Sequence, residues 1–156
     1  MYFAIVVLLM GVLPIASILI ELILAHGGAD PLLLIGKWFV FWSVGVRLVL
    51  AGLRQIFNPA FTAETIFDLK EKGALTIVQE LGFGNVSIGL LGLLSLLNNL
   101  WTVPAALVGG LFYGLAGVKH LSSNDRNSME VIAMISDLFI FLVLAGYLAA
   151  LAFRQT

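Results

Sequence analysis

Ionisable residues of both signs lie inside the apolar stretches of this chain, where a buried charge is costly enough to need a partner or a task. Arg47 and Arg54 are two helical turns apart and therefore share one face of a helix. Glu80 and Asp137 each lie about 9 Å into an apolar span by helical rise. If successive spans alternate in direction, both cations and both anions reach the same half of the membrane. The sequence therefore predicts that an arginine pairs with a carboxylate there.

A face of the fourth apolar stretch carries small and polar residues at steps of four and three: Ala106, Gly110, Tyr113, Gly117 and His120. Residues at this spacing lie on one side of a helix. Small residues let helices approach closely in membranes, and close packing alone would explain the pattern. The same face would also direct Tyr113 and His120 towards the level of the two carboxylates.

Together these positions form a candidate cluster for ligand binding or for a buried polar network: Arg47, Arg54, Glu80, Asn85, Tyr113, His120 and Asp137. Two interpretations stay open. Paired charges can simply fix which helix neighbours which, or they can hold a small amphipathic ligand or line an ion path. Near the opposite membrane face, Glu21 and Lys37 fall at matching depth and are predicted to form a structural ion pair.

The sequence predicts no catalytic residue, no metal site and no cofactor. The chain has no cysteine, which removes thiolate chemistry and iron–sulfur ligation. Its two histidines, His26 and His120, are expected at opposite membrane faces, so one protomer could not supply both axial ligands of a haem. No phosphate-binding loop, nucleophile elbow, dinucleotide fingerprint or zinc-protease motif is present.

Five apolar stretches must position these residues. Hydrophobic residues make up 61% of the chain and the mean hydropathy is +1.09, which indicates a membrane protein. Each stretch is long enough, at ~1.5 Å per residue, to cross a hydrocarbon core of roughly 30 Å. The predicted spans are Tyr2–Ala25, Leu32–Phe57, Ala74–Leu97, Val103–Leu121 and Val131–Phe153. Pro14 is expected to kink the first.

The predicted fold class is all-α, a polytopic membrane protein with five transmembrane helices in one domain, residues 1–156. Residues 32–156 would form an antiparallel four-helix bundle, and residues 1–31 would add a peripheral N-terminal helix. The connection 58–73 sets apolar residues against charged ones, which predicts a short amphipathic helix at the interface, although an ordinary solvated loop fits equally.

Basic residues in the connections predict the orientation in the cell membrane. The positive-inside rule places the N-terminus in the cytoplasm and the C-terminus outside. It compares five basic residues on one side with two on the other: Arg54, Lys70, Lys72, Lys119 and Arg126 against Lys37 and Arg154.

The run Glu80-Leu81-Gly82-Phe83-Gly84-Asn85 is the most specific part of a family resemblance. With Gly89, Gly92, Gly117-Val118-Lys119-His120, Asn127 and Ser136-Asp137, it resembles an uncharacterised family of small bacterial multi-pass membrane proteins that is distantly similar to the DoxX-like four-helix group. The resemblance covers about residues 38–150. It implies a four-helix bundle preceded by an added helix and names no reaction. Some DoxX-like proteins are membrane subunits linked to quinone-dependent sulfur oxidation.

Three classes of function fit the sequence. The favoured one is a non-catalytic membrane protein, either an accessory subunit or a binder of a lipid or quinone. The alternatives are a small proton-linked transporter or channel and the membrane subunit of a quinone-linked oxidoreductase. Expected partners are membrane lipids, a quinone, and a larger membrane complex or a second copy of the chain. The net charge of −1 leaves no basic stripe for nucleic acid.

Overall fold

The computed structural model describes residues 2–26, 28–66, 71–122 and 127–155, which form helices joined by short connections and contain no strand. Five helices are long and apolar enough to cross a membrane, as the sequence predicted. They run in chain order as α1 Tyr2–Leu24, α2 Pro31–Phe57, α3 Lys72–Leu94, α4 Thr102–Leu121 and α5 Ser128–Gln155. Their bounds differ from the predicted spans by a few residues.

Polar caps explain where the helices begin. Asp30 caps α2 by accepting a hydrogen bond from the Leu32 N–H, and Pro31 fills the first helical position, where a missing N–H costs nothing. Asn127 caps α5 by accepting from the N–H groups of Met129 and Glu130. The apolar windows alone could not locate these starts, because capping residues lie outside them.

Two wider helical stretches interrupt α1 and α2 near their middles, at Leu8–Val12 and Val40–Val46. In the first, hydrogen bonds span five residues, as from the Leu13 N–H to the Leu8 carbonyl. The next bond in that register would need an N–H from Pro14, which has none. A π-helical stretch thus precedes Pro14 within a helix that continues to Leu24, and the kink at Pro14 stays a prediction.

Glycines let α2 and α3 touch backbone to backbone. A Cβ on Gly92 would lie 2.6 Å from the Gly45 nitrogen, and one on Gly52 would lie 2.6 Å from the Gly82 carbonyl oxygen. Without side chains between them, the two helices gain close van der Waals contact, which is the main source of helix association in lipid. The result is a tight α2–α3 pair.

The helices α4 and α5 form a second tight pair, in which Gly114 receives the Phe141 ring and Gly117 receives Leu138. Helix α2 lies between the pairs and contacts all four other helices, whereas α3 and α4 touch each other much less. Helix α1 packs on α2 and α5 and contributes Val6, Leu9 and Met10 to the core. The contact between α3 and α4 is thus far smaller than the contact within either tight pair.

The connection after α2 packs against the bundle. Asn58 ends α2, and a further π-helical segment, Phe61–Ile66, buries Thr62 and Ala63. The first half of the predicted interfacial helix therefore packs against one end of the bundle. This end is named the Tyr2 end, because α1 begins there. The remaining predicted residues, Phe67 to Lys70, lie outside the described residues.

Candidate functional site

A cavity of about 280 Å³ lies at the Tyr2 end, and all five helices contribute to its wall. Its polar lining comes from Tyr2, Arg47, Gln55, Thr62, Asn85, Tyr113, His120 and Asp137. Five of the seven residues of the predicted cluster are therefore brought together. A cavity of this size with converging polar groups could hold several waters or the head of a small amphiphile.

Arg47 supplies the positive charge of the cavity. Its Nη2 donates a long hydrogen bond to the Tyr2 hydroxyl, at 3.4 Å, and the guanidinium lies 5.8 Å from the centre of the Tyr2 ring. Its Nε is buried and has no hydrogen-bond partner within the described part of the chain. An unsatisfied guanidinium N–H is a strong donor for a phosphate or carbonyl oxygen.

Asn85 supplies an unsatisfied acceptor. It is 3% exposed and donates through Nδ2 to Gln55 Oε1 at 2.7 Å, which fixes the direction of both amides. The Asn85 Oδ1 atom is left buried without a hydrogen-bond partner among the described residues. A buried polar atom left unpaired costs about 1–3 kcal/mol, so this oxygen favours a ligand with an N–H or O–H donor.

Asp137 supplies the negative charge. In the described ranges neither Arg47 nor Asp137 forms an ion pair, and no hydrogen bond from those ranges reaches the Asp137 carboxylate. The two residues therefore line one cavity without neutralising each other directly. This differs from the direct arginine–carboxylate pair that the sequence predicted.

His120 connects the cavity to the end of the bundle. Its Nδ1 lies 3.1 Å from a carboxylate oxygen of Glu130, in the first turn of α5. The side chains of His120 and Glu130 are 9% and 12% exposed, so the pair is shielded from solvent. Such a pair fixes the orientation of the imidazole.

Tyr113 closes the inner side of the cavity. Its hydroxyl donates to the Ser43 carbonyl, within the π-helical stretch of α2, and the Ser43 hydroxyl donates to the Leu9 carbonyl at 3.4 Å. Leu9 is the residue whose carbonyl would face Pro14 in the π-helical register of α1. These two hydroxyls join α4, α2 and α1 and satisfy carbonyls inside the bundle.

Two predicted cluster residues lie elsewhere. Glu80 is exposed on α3 and does not line this cavity, and no ion pair joins it to an arginine among the residues described. Arg54 stacks its guanidinium on the Phe61 ring, 3.4 Å from the centroid, and lines a neighbouring cavity of about 210 Å³. Both cavities share Arg47 and Gln55, so Arg54 lies beside the cluster and Glu80 outside it.

The Glu21–Lys37 pair is present near the opposite end of the bundle. The Lys37 Nζ donates to both Glu21 carboxylate oxygens at 2.8 Å, and the Trp38 indole N–H donates to one of them at 2.7 Å. This group joins α1 to α2. With both charged side chains about one-third exposed, it fits the structural role that the sequence predicted.

Apolar residues of α3 and α4 line one side of the cavity. Leu81, Phe112, Leu115 and Ala116 line this side, and Leu115 is 73% exposed. An apolar mouth that opens laterally would meet lipid chains rather than water. The cavity therefore combines a polar lining with an apolar side that includes the exposed Leu115.

Sequence reasoning missed Tyr2, Gln55, Thr62 and Glu130. Glu130 could have been found, because it lies two helical turns before Asp137 and so on the same face of α5. Gln55 follows Arg54 directly and was obscured by the stronger charge signal. Thr62 reaches the cavity only through the folded-back segment Phe61–Ile66, which no periodicity in the sequence predicts.

Comparisons with protein-family models, with curated proteins and with solved structures each gave no match for this chain. The resemblance to the DoxX-like group therefore stays a prediction from the sequence.

Proposed function

We propose that this protein is a non-catalytic integral membrane protein that binds the polar head of a membrane amphiphile, a lipid or a quinone, in the cavity at the Tyr2 end. The head lies among Arg47, Asn85 and Asp137, and the tail leaves between α3 and α4. Binding of this kind suits an accessory subunit of a larger membrane complex, as the sequence favoured.

One observation supports the proposal most strongly. The cavity contains a buried arginine donor and a buried amide acceptor, Arg47 Nε and Asn85 Oδ1, without hydrogen-bond partners among the described residues. A purely structural network would satisfy both, because unpaired buried polar atoms are destabilising. Both belong to residues that line a cavity with an apolar mouth.

In the proposed arrangement, α2 to α5 form the antiparallel four-helix bundle, α1 packs on its outside, and the Tyr2 end faces the cytoplasm. The basic connections support this orientation through the positive-inside rule. A reporter fused to the C-terminus should then be active outside the cytoplasm, whereas cytoplasmic activity would reverse the orientation.

Identification of co-purifying amphiphiles tests the proposal. The wild-type protein, purified in mild detergent, should retain a lipid or quinone in near-stoichiometric amount. Ala116→Phe fills the mouth of the cavity and should reduce that amount, whereas Val118→Phe, at an exposed position on the same helix, should not. Equal retention by both variants, or retention by none of the three proteins, would contradict the proposal.

A proton-linked transporter is the second candidate, and the His120–Glu130 pair favours it. His120 lines the cavity, and Glu130 in the first turn of α5 places a second shielded ionisable group beside it. In that case, the reconstituted protein should move protons or a solute across vesicles, and Glu130→Gln should abolish the movement. A binding protein should show no such flux in either form.

A further inference from the structure

We propose that the head group is a zwitterion that carries a phosphate and a primary ammonium, as in an aminophospholipid. The phosphate binds Arg47, and the ammonium binds Asp137 and Asn85. This inference rests on the proposed function and names the ligand class of the same cavity.

The charges of the cavity match a zwitterion better than an anion or a cation. Arg47 and Asp137 are on different helices, α2 and α5, and neither is neutralised by an ion pair in the part of the chain that the structure describes. An anionic head group would satisfy Arg47 but bring a second negative charge to Asp137. A cationic head group would satisfy Asp137 but bring a second positive charge to Arg47. One phosphate and one ammonium satisfy both residues without adding net charge.

The donor and acceptor atoms define the two halves of the head group. Arg47 Nε can only donate, which suits phosphate oxygens. Asn85 Oδ1 and the Asp137 carboxylate can accept, which requires N–H or O–H donors on the ligand. A primary ammonium supplies three such donors, whereas a trimethylammonium supplies none. The acceptors therefore favour the primary amine.

The depth of the cavity suits a phospholipid head. Tyr2, the first residue of α1, accepts a hydrogen bond from Arg47, so the guanidinium reaches the first turn of that helix. By helical rise Asp137 lies about 9 Å from the same membrane face, so the head group enters the cavity from that face. The lateral mouth beside Leu81 and Leu115 then gives the acyl chains a direct route into the bilayer.

Competition among lipids in nanodiscs tests the inference on the wild-type protein. Discs would contain equal amounts of phosphatidylethanolamine, its N-methyl and N,N-dimethyl forms, phosphatidylcholine and phosphatidylglycerol, and native mass spectrometry would count the lipids retained. We expect retention to fall with each added methyl group, by at least about tenfold from ethanolamine to choline, as for the loss of one charge-assisted hydrogen bond. Phosphatidylglycerol should also be retained about tenfold less.

Two cavity variants separate the halves of the head group. Asp137→Asn should remove the preference for ethanolamine over choline while lipid is still retained, and Arg47→Gln should reduce retention of every phospholipid. Glu80→Gln is the matched control, because it neutralises an exposed carboxylate outside the cavity. It should leave the preference unchanged.

The outcomes distinguish this inference from the proposed function. Retention of all five lipids equally by the wild-type protein would overturn the zwitterion and leave amphiphile binding standing. Retention of a quinone in place of phospholipid would do the same. Retention of no amphiphile would overturn both. The series of methylated lipids is measured on the wild-type protein. It therefore tests the zwitterion proposal even if a substituted variant fails to fold.

Discussion

At the scale of single residues, the sequence predicted how deep a residue lies in the membrane but not the direction in which its side chain points around the helix. Helical rise placed Arg47, Tyr113, His120 and Asp137 in the same half of the membrane, and the structure brings all four to one cavity. Glu80 was predicted at the level of Asp137, but its direction around α3 could not be known from spacing alone. Its neighbour Leu81 lines the cavity, and one position along a helix turns a side chain by about 100°.

Arg47 and Asp137 should be energetically coupled through their shared cavity. In a double-mutant cycle with Arg47→Gln and Asp137→Asn, the two losses of unfolding free energy should be non-additive by about 0.5–3 kcal/mol. Denaturant unfolding in detergent micelles measures this. The same cycle with Glu80→Gln in place of Asp137→Asn should be additive, because Glu80 is outside the cavity. Additivity in both cycles would show that Arg47 and Asp137 are not coupled, which would contradict the prediction.

Tyr113 should stabilise the bundle through its hydroxyl. Tyr113→Phe keeps the ring and leaves the Ser43 carbonyl without that donor, which should lower the free energy of unfolding by about 1–3 kcal/mol. Ser87→Ala is the comparison, since the Ser87 hydroxyl is exposed and bonds only within its own helix turn. It should change stability by less than about 0.5 kcal/mol. Equal effects would show that the buried hydroxyl is dispensable.

At the scale of helices, the apolar composition predicted how many helices there are and how long they are, but not the π-helical stretches inside them. Five apolar stretches predicted five helices, because an unpaired backbone is too costly in lipid for any other form. The π-helical stretch Val40–Val46 was not predictable, since its residues show no pattern that differs from an ordinary helix. In the folded bundle this stretch contacts α1, α3 and α4.

Gly92 should be irreplaceable in the α2–α3 contact. Gly92→Ala would place a Cβ 2.6 Å from the Gly45 nitrogen, so the helices must separate, at a cost of about 1–3 kcal/mol. Gly84→Ala is the matched control on the same helix, because nothing lies within 4 Å of its Cβ position. Thermal unfolding should show a lowered midpoint for the first variant only. A similar midpoint for both would contradict the backbone contact.

At the scale of the whole molecule, ion pairs hold the far end of the bundle together. Arg154 near the end of α5 donates a hydrogen bond to Asp30, which precedes α2. This bond holds the pKa of the Asp30 carboxyl below its ordinary value of 3.8. No spacing rule links residues so far apart in sequence, so this contact could not be predicted from the chain.

Asp30 should therefore give a pH-dependent contribution to stability. Because its folded-state pKa is depressed, the contribution is present above pH 3.8 and is lost as pH falls through the lower folded-state value. Asp30→Asn keeps a capping side chain and removes the ion pair. Its unfolding midpoint should lie below that of the wild type at neutral pH, and the difference should shrink below pH 3.8. A difference independent of pH would contradict this role.

The most direct test of the central proposal is a structure determined in nanodiscs made from native lipid extract. We predict elongated density whose polar end lies within hydrogen-bond distance of Arg47 Nε and Asn85 Oδ1, and whose tail leaves between α3 and α4. A closed polar network in which Arg47 and Asp137 bond each other directly, with no density at the mouth beside Leu115, would contradict it.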